Sequence, residues 1–139
     1  MKKLKRIIQR DPTGCGIACI SMLTGREYEE IKQEALKTLE FNGKKTLYTD
    51  FKDLKQLLKK YGVKTARRAS KFISWEKLPA LCVLAINYSE RRDTWHWVLY
   101  INEKDDKYIF DPKKTTKTEK RRDFGRMRVY KYLTIKKLH

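Results

Sequence analysis

Apolar residues recur at helical spacing through the first sixty positions and gather into runs of strand length afterwards. Residues 15–23 (CGIACISML) are small or apolar throughout, which predicts a buried helix opened at Cys15 by the turn Asp11-Pro12-Thr13-Gly14 and closed before Gly25. Tyr28, Ile31, Ala35, Leu36 and Leu39 predict a second helix over 28–39, stopped by Asn42-Gly43. Phe51, Leu54, Leu57, Leu58 and Tyr61 form the stripe of a third over 50–61, with Thr49 or Asp50 as its cap and Gly62 as a left-handed stop. Beyond Val63 the pattern changes. Residues 79–88 (PALCVLAINY) and 95–102 (WHWVLYIN) are nearly continuous apolar runs, as expected for strands buried on both faces. A short strand over 107–110 follows a polar turn, and 128–135 (RVYKYLTI) supplies another. Helices first and strands afterwards predict an α+β fold, with N-terminal helices packed on an antiparallel β-sheet. The polar stretch 113–126 (KKTTKTEKRRDFGR) lacks periodicity and is expected to be a mobile, solvated connection.

A length of 139 residues fits one domain over 1–139, and 40% hydrophobic residues supply enough core to exclude a disordered chain. The 34 Lys and Arg outnumber 17 Asp and Glu, giving +17, a field that attracts phosphates, anionic membrane surfaces or acidic proteins. The sign alone does not choose among them. Three cysteines, an odd number, with Cys15 and Cys19 one helical turn apart, argue against a disulfide framework and for a reducing compartment. The first ten residues lack an apolar run of signal-peptide length, and no stretch approaches transmembrane length, so a cytoplasmic protein is expected. Zinc is disfavoured, because there is no close Cys pair of the finger type and too few histidines to complete four ligands.

Cys15 stands out among the three thiols. It is flanked by Gly14 and Gly16 and begins a helix, where unpaired backbone amides and the helix dipole favour a thiolate. Of the two histidines, His139 is the last residue, which leaves His96. Strand alternation sends His96 and Val98 to one face and Trp95 and Trp97 to the other. Burying a titratable ring there costs energy unless a partner bonds it. The next strand ends in Phe110-Asp111-Pro112 across a hairpin-like turn, so Asp111 can lie beside His96, fix its tautomer and stabilise its charge. Singly, each residue has an ordinary reading as an inert core Cys, a hydrogen-bonded core His and a turn-forming Asp-Pro. Their order, with Cys before His and an acidic orienter last, is the papain-like one. Cys19 and Cys82 are expected in the core.

The segment from Gln9 to Leu23, with its Asp, Cys-Gly, Ala and Met, resembles the opening motif of the C39 cysteine peptidases, the bacteriocin-processing double-glycine peptidases. His96-Trp97-Val98-Leu99 and Asp111-Pro112 are similar to that family's later motifs. The resemblance implies a papain-like fold, Cys15 as nucleophile, His96 as base, Asp111 as orienter and Gln9 as an oxyanion-hole donor, six residues before the nucleophile. It implies acyl transfer on a peptide or side-chain amide, with a peptide or protein substrate and neither a metal nor an organic cofactor.

Two departures accompany the resemblance. Family members often carry Asp immediately before the nucleophile, where this chain has Gly14, and many are the front domain of an exporter, whereas no membrane segment or nucleotide-binding motif is read here. Similar triads also serve deamidases, transglutaminases and toxin domains. An alternative of another class is a non-catalytic basic module for nucleic acid or another polyanion, using Lys44, Lys45, Arg67, Arg68, Arg91, Arg92, Arg121 and Arg122. Salt-sensitive binding that survives Cys15→Ala would favour it.

Overall fold

Helix α1 (Cys15–Thr24) is buried from Cys15 through Leu23, as its apolar circumference requires. Each fully buried Ile, Leu or Met contributes roughly 1.5–3 kcal/mol, so Ile17, Ile20, Met22 and Leu23 anchor the helix that begins at Cys15. Gly25 closes it at φ 73, and its N–H bonds Ser21 O. The computed structural model describes residues 3–39 and 47–138. Asn42-Gly43, Lys44, Lys45 and His139 lie outside the described residues.

Helix α2 (Tyr28–Thr38) turns Tyr28, Ile31 and Ala35 inward, while Leu36 of the expected stripe is exposed. Helix α3 (Phe51–Lys60) begins in a reciprocal cap: the Asp53 N–H donates to Asp50 Oδ1 at 2.8 Å, and the Asp50 N–H donates to Asp53 Oδ2 at 3.1 Å. Of the two expected caps, Asp50 fills the role, and Gly62 adopts the left-handed turn after the helix at φ 79.

Six strands follow: β1 (Lys64–Thr65), β2 (Ser70–Lys71), β3 (Leu81–Ser89), β4 (Thr94–Glu103), β5 (Asp106–Phe110) and β6 (Val129–Lys137). They form an antiparallel sheet ordered β1-β6-β3-β4-β5, with β2 also paired to β6. Central β3 is buried on both faces from Cys82 through Ile86, matching its continuous apolar run. One face carries Val83, Ala85, Trp97, Leu99 and Leu133 against the helices. The other carries Leu84, Ile86, Val98 and Tyr100 under Phe72, Trp75 and Phe124, partly from two short 3-10 turns. Cys19 lies in the first cluster and Cys82 in the second, both fully buried as expected.

Two expectations change here. The two-residue strands β1 and β2 were not foreseen, because polar pairs such as Lys64-Thr65 carry no periodicity and are extended only by pairing with β6. The stretch 113–126 is not a free solvated connection either. It folds back on β5, where Arg121 and Ile109 exchange two backbone hydrogen bonds of 2.9 Å, because a buried carboxylate awaits its cation, as described below.

Candidate active site

The unequal lengths of β4 and β5 create the site. Their last paired rung on this side is Leu99 with Phe110, so β4 runs on towards Thr94 with its outer edge unpaired. A free edge leaves backbone donors that must find partners. The Trp97 N–H finds the Cys15 Sγ, at 3.4 Å. The start of α1 is therefore docked on the strand beside His96.

Two glycines permit this approach. A Cβ on Gly16 would lie 2.1 Å from Thr49 Oγ1 and 3.0 Å from Trp97 Cδ1, inside the contact that seats α1 against β4. The Trp97 indole N–H is itself fixed by Thr49, 3.0 Å from its carbonyl and 3.1 Å from its hydroxyl. A Cβ on Gly14 would meet Tyr28 Oη at 2.0 Å. That hydroxyl donates to Asp11 Oδ2 at 2.8 Å, and Lys32 Nζ lies 3.0 Å from Oδ1, so the turn before Cys15 is tied to α2. Burial opposes the Asp11 charge, but these two bonds outweigh it and hold the carboxyl below its ordinary value.

His96 reaches the other side of the site. Its Nε2 lies 2.7 Å from Asp111 Oδ1, across the hairpin that joins β4 to β5. Burial of the ring disfavours its charge, but the Asp111 bond and the neighbouring Cys15 thiol outweigh that effect and raise the imidazole from 6.5 to about 9. Asp111 is 1% exposed, so its charge demands partners. Oδ1 also accepts the Lys113 N–H at 2.9 Å, while Oδ2 accepts Arg121 Nη1 at 2.8 Å and the Thr116 hydroxyl at 3.2 Å. Burial pushes this carboxyl up, yet His96, the Lys113 amide and Arg121 together bring it down to about 2. Arg6 staples the surrounding loop, donating to the backbone carbonyls of Asp111, Lys113 and Thr116 at 2.7, 3.1 and 2.8 Å.

The fold thus brings Cys15, His96 and Asp111 together, and Gln9 beside them. The Gln9 backbone N–H bonds Pro112 O at 2.8 Å, and its side chain shares an open cavity of about 740 Å³ with His96 and Asp111. In this conformation its Nε2 donates to the carbonyls of Asp11 at 3.0 Å and Pro12 at 3.1 Å, while Oε1 is buried without a partner. Cys15 opens into a separate cleft of about 220 Å³ walled by Tyr48, Thr49, Trp95 and Trp97. Trp95 therefore walls a cleft, whereas Trp97 is core and wall at once. Sequence reasoning missed Arg6 and Thr116, and it counted Arg121 among free surface cations. The run Arg121-Arg122-Asp123 gave no sign of which carboxylate its first member would meet.

Helices packed on one face of an antiparallel sheet, with a thiol opening the innermost helix, make up a papain-like cysteine peptidase. The model of the Peptidase C39 family matches residues 3–137, and the chain belongs to that family. It is accordingly a C39-type cysteine peptidase, an enzyme of peptide substrates. The peptidase domain of Streptococcus ComA, a bi-functional ABC transporter involved in quorum sensing, shares the fold with a TM-score of 0.67. The match covers 96% of this chain and 98% of that one at 14% identity. No curated protein matches in sequence. Among the described residues no helix is long and apolar enough to cross a membrane.

Proposed function

We propose that this chain, as one papain-like domain over 1–139, hydrolyses a peptide or side-chain amide through a Cys15–His96–Asp111 triad. The observation that carries the reading is the 2.7 Å bond from His96 Nε2 to buried Asp111, made where the ring also adjoins the Cys15 thiol. With Nε2 committed to the carboxylate, Nδ1 is left to exchange a proton with the sulfur.

The Cys15 thiolate attacks the substrate carbonyl, and the electron pair of the C=O bond moves onto oxygen. The Cys15 backbone N–H, unpaired at the start of α1, and the Gln9 amide supply the oxyanion donors. For Gln9 this requires exchanging one of its present carbonyl partners, Asp11 or Pro12, for the oxyanion. The C–N bond then breaks, His96 gives its proton to the departing nitrogen, and a thioester remains on Cys15. His96 next takes a proton from water, whose oxygen attacks the thioester, and the acid leaves as thiolate and imidazolium are restored. Asp111 keeps the ring oriented throughout.

Alkylation of Cys15 by iodoacetamide, followed by mass spectrometry across pH, tests the pairing. Rapid labelling confined to Cys15 and slowed in His96→Ala is expected. Labelling no faster than that of Cys19 or Cys82, and indifferent to His96, would sink the triad.

A further inference from the structure

Arg121 is bonded to the catalytic carboxylate, yet the reaction above gives it no task. Its side chain is 17% exposed, and its Nη1 sits 2.8 Å from Asp111 Oδ2, the oxygen turned away from His96. Its Nε and Nη2 reach Asp123 at 2.7 and 3.2 Å. The backbone bridge to Ile109 fixes the point from which the guanidinium approaches. Asp111 therefore divides one buried negative charge between two cations, one on each oxygen.

That division matters to a proton donor. An imidazolium held by an undivided buried carboxylate gives up its proton reluctantly, whereas a general acid works best when its proton affinity lies near the working pH. A second cation on the same carboxylate weakens that hold, and burial keeps solvent from screening the effect.

We propose that Arg121 is a positioning residue acting through Asp111: bonded to the far oxygen, it tempers the carboxylate's hold on His96 so that the imidazolium releases its proton to the leaving group. The role rests on the triad reading. Around the pair, α1 presents Cys15 and Cys19, the N-terminal segment presents Arg6, and the loop presents Lys113, Lys120, Arg122 and Asp123. Among the described residues, Arg121 is the cation besides His96 whose charged group bonds the Asp111 carboxylate. Arg6 bonds its backbone carbonyl, and Lys113 offers a backbone amide. The Lys113 amide and the Thr116 hydroxyl still hold the carboxylate when the guanidinium is removed, so the substitution alters charge more than place.

The chain has two histidines, so proton NMR follows the His96 ring directly, with His139→Ala making the assignment. The full chain is titrated as wild type, Arg121→Gln, Arg121→Lys and Asp123→Asn. Arg121→Gln is expected to raise the His96 midpoint by about one pH unit, and Arg121→Lys to leave it within a few tenths. Asp123→Asn, which leaves the guanidinium to Asp111 alone, is expected to lower it. A midpoint unchanged or lowered in Arg121→Gln, or raised equally in Arg121→Lys, overturns the proposal. Should Arg121→Gln fail to fold, Asp123→Asn decides, because Asp123 is 42% exposed: a lowered midpoint supports the role, and any other result overturns it. The titration reads the ring and not turnover, so its failure is distinguishable from Cys15 labelling that ignores His96, which would remove the triad itself.

Discussion

Cys15 and Asp111 are almost equally buried, at 5% and 1% exposed, yet the protein holds them by opposite means. Around Cys15 the contacts are mostly shape: an apolar helix, two glycines that admit close approach, and a backbone N–H on the sulfur, with the His96 ring as a titratable neighbour. Around Asp111 they are charge, with four donors shared between two oxygens. A thiol is nearly apolar and tolerates a dry setting, while an unpaired buried carboxylate costs several kcal/mol. Changes beside Asp111 should therefore act on chemistry and pH dependence, and changes beside Cys15 on packing.

The sharpest test of the charged side is Asp111→Asn, which keeps the shape and removes the charge. Turnover of a cleaved peptide is expected to fall on the order of 10²–10⁴-fold in kcat, because the ring loses its tautomer and its charge partner. The alkaline limb of kcat/KM, expected near pH 9 in the wild type, should move down towards 6.5. An intact kcat would mean that Asp111 is only a loop anchor.

The same pair makes stability depend on pH in a definite direction. The raised His96 value means that its contribution is complete below about 6.5 and is lost as pH rises through about 9. The depressed Asp111 value means that its contribution is present above 3.8 and is lost as pH falls through about 2. The pair thus supports the fold most between about pH 4 and 6.5, and roughly 3 kcal/mol should disappear from neutral towards strongly alkaline pH. Urea midpoints measured from pH 5 to 10 should show that decline in the wild type and a flatter profile in Asp111→Asn. Equal profiles would detach the His96–Asp111 bond from stability.

On the apolar side, Gly16→Ala should cost about 2 kcal/mol with m unchanged, since Thr49 and Trp97 are both buried and cannot step back. Cys15 labelling should slow as α1 lifts from β4. A variant as stable as wild type would show that the helix seat is looser than the 2.1 Å approach to Thr49 implies.

How much of this was readable beforehand follows the same divide. Helix α1 and the four longer strands of the sheet were legible because shape is written locally: continuous apolar runs at 15–23 and 79–88, and turns at Gly25 and Gly62. Asp111 beside His96 was legible from hairpin connectivity alone, which places the end of β5 next to the start of β4. Its remaining partners were not. Arg6 and Arg121 lie 105 and 10 residues away in polar segments without periodicity, and which of many cations meets a carboxylate is decided by tertiary folding. The present partners of the Gln9 amide depend likewise on the local path of the 11–14 turn, which the motif does not record.

The two structural thiols give the smallest and most discriminating contrast. Cys82 is fully buried in the cluster beneath Trp75 and Phe124, on the sheet face away from α1, where burial pushes its thiol far up. Removing its sulfur leaves a small dry void, worth roughly 1 kcal/mol. The void is separated from Cys15 by the sheet itself, so the Cys82→Ala variant should unfold at lower urea while its Cys15 is labelled by iodoacetamide within about twofold of the wild-type rate. Cys19 lies one turn from Cys15 on α1, and a void there opens directly behind Cys15. Its Ala variant should lose a similar stability but change the labelling rate, because the seat of the sulfur depends on packing. Were Cys82→Ala to disturb the Cys15 thiol as much as Cys19→Ala, the two cores would be mechanically one, and shape would reach Cys15 from both faces of the sheet.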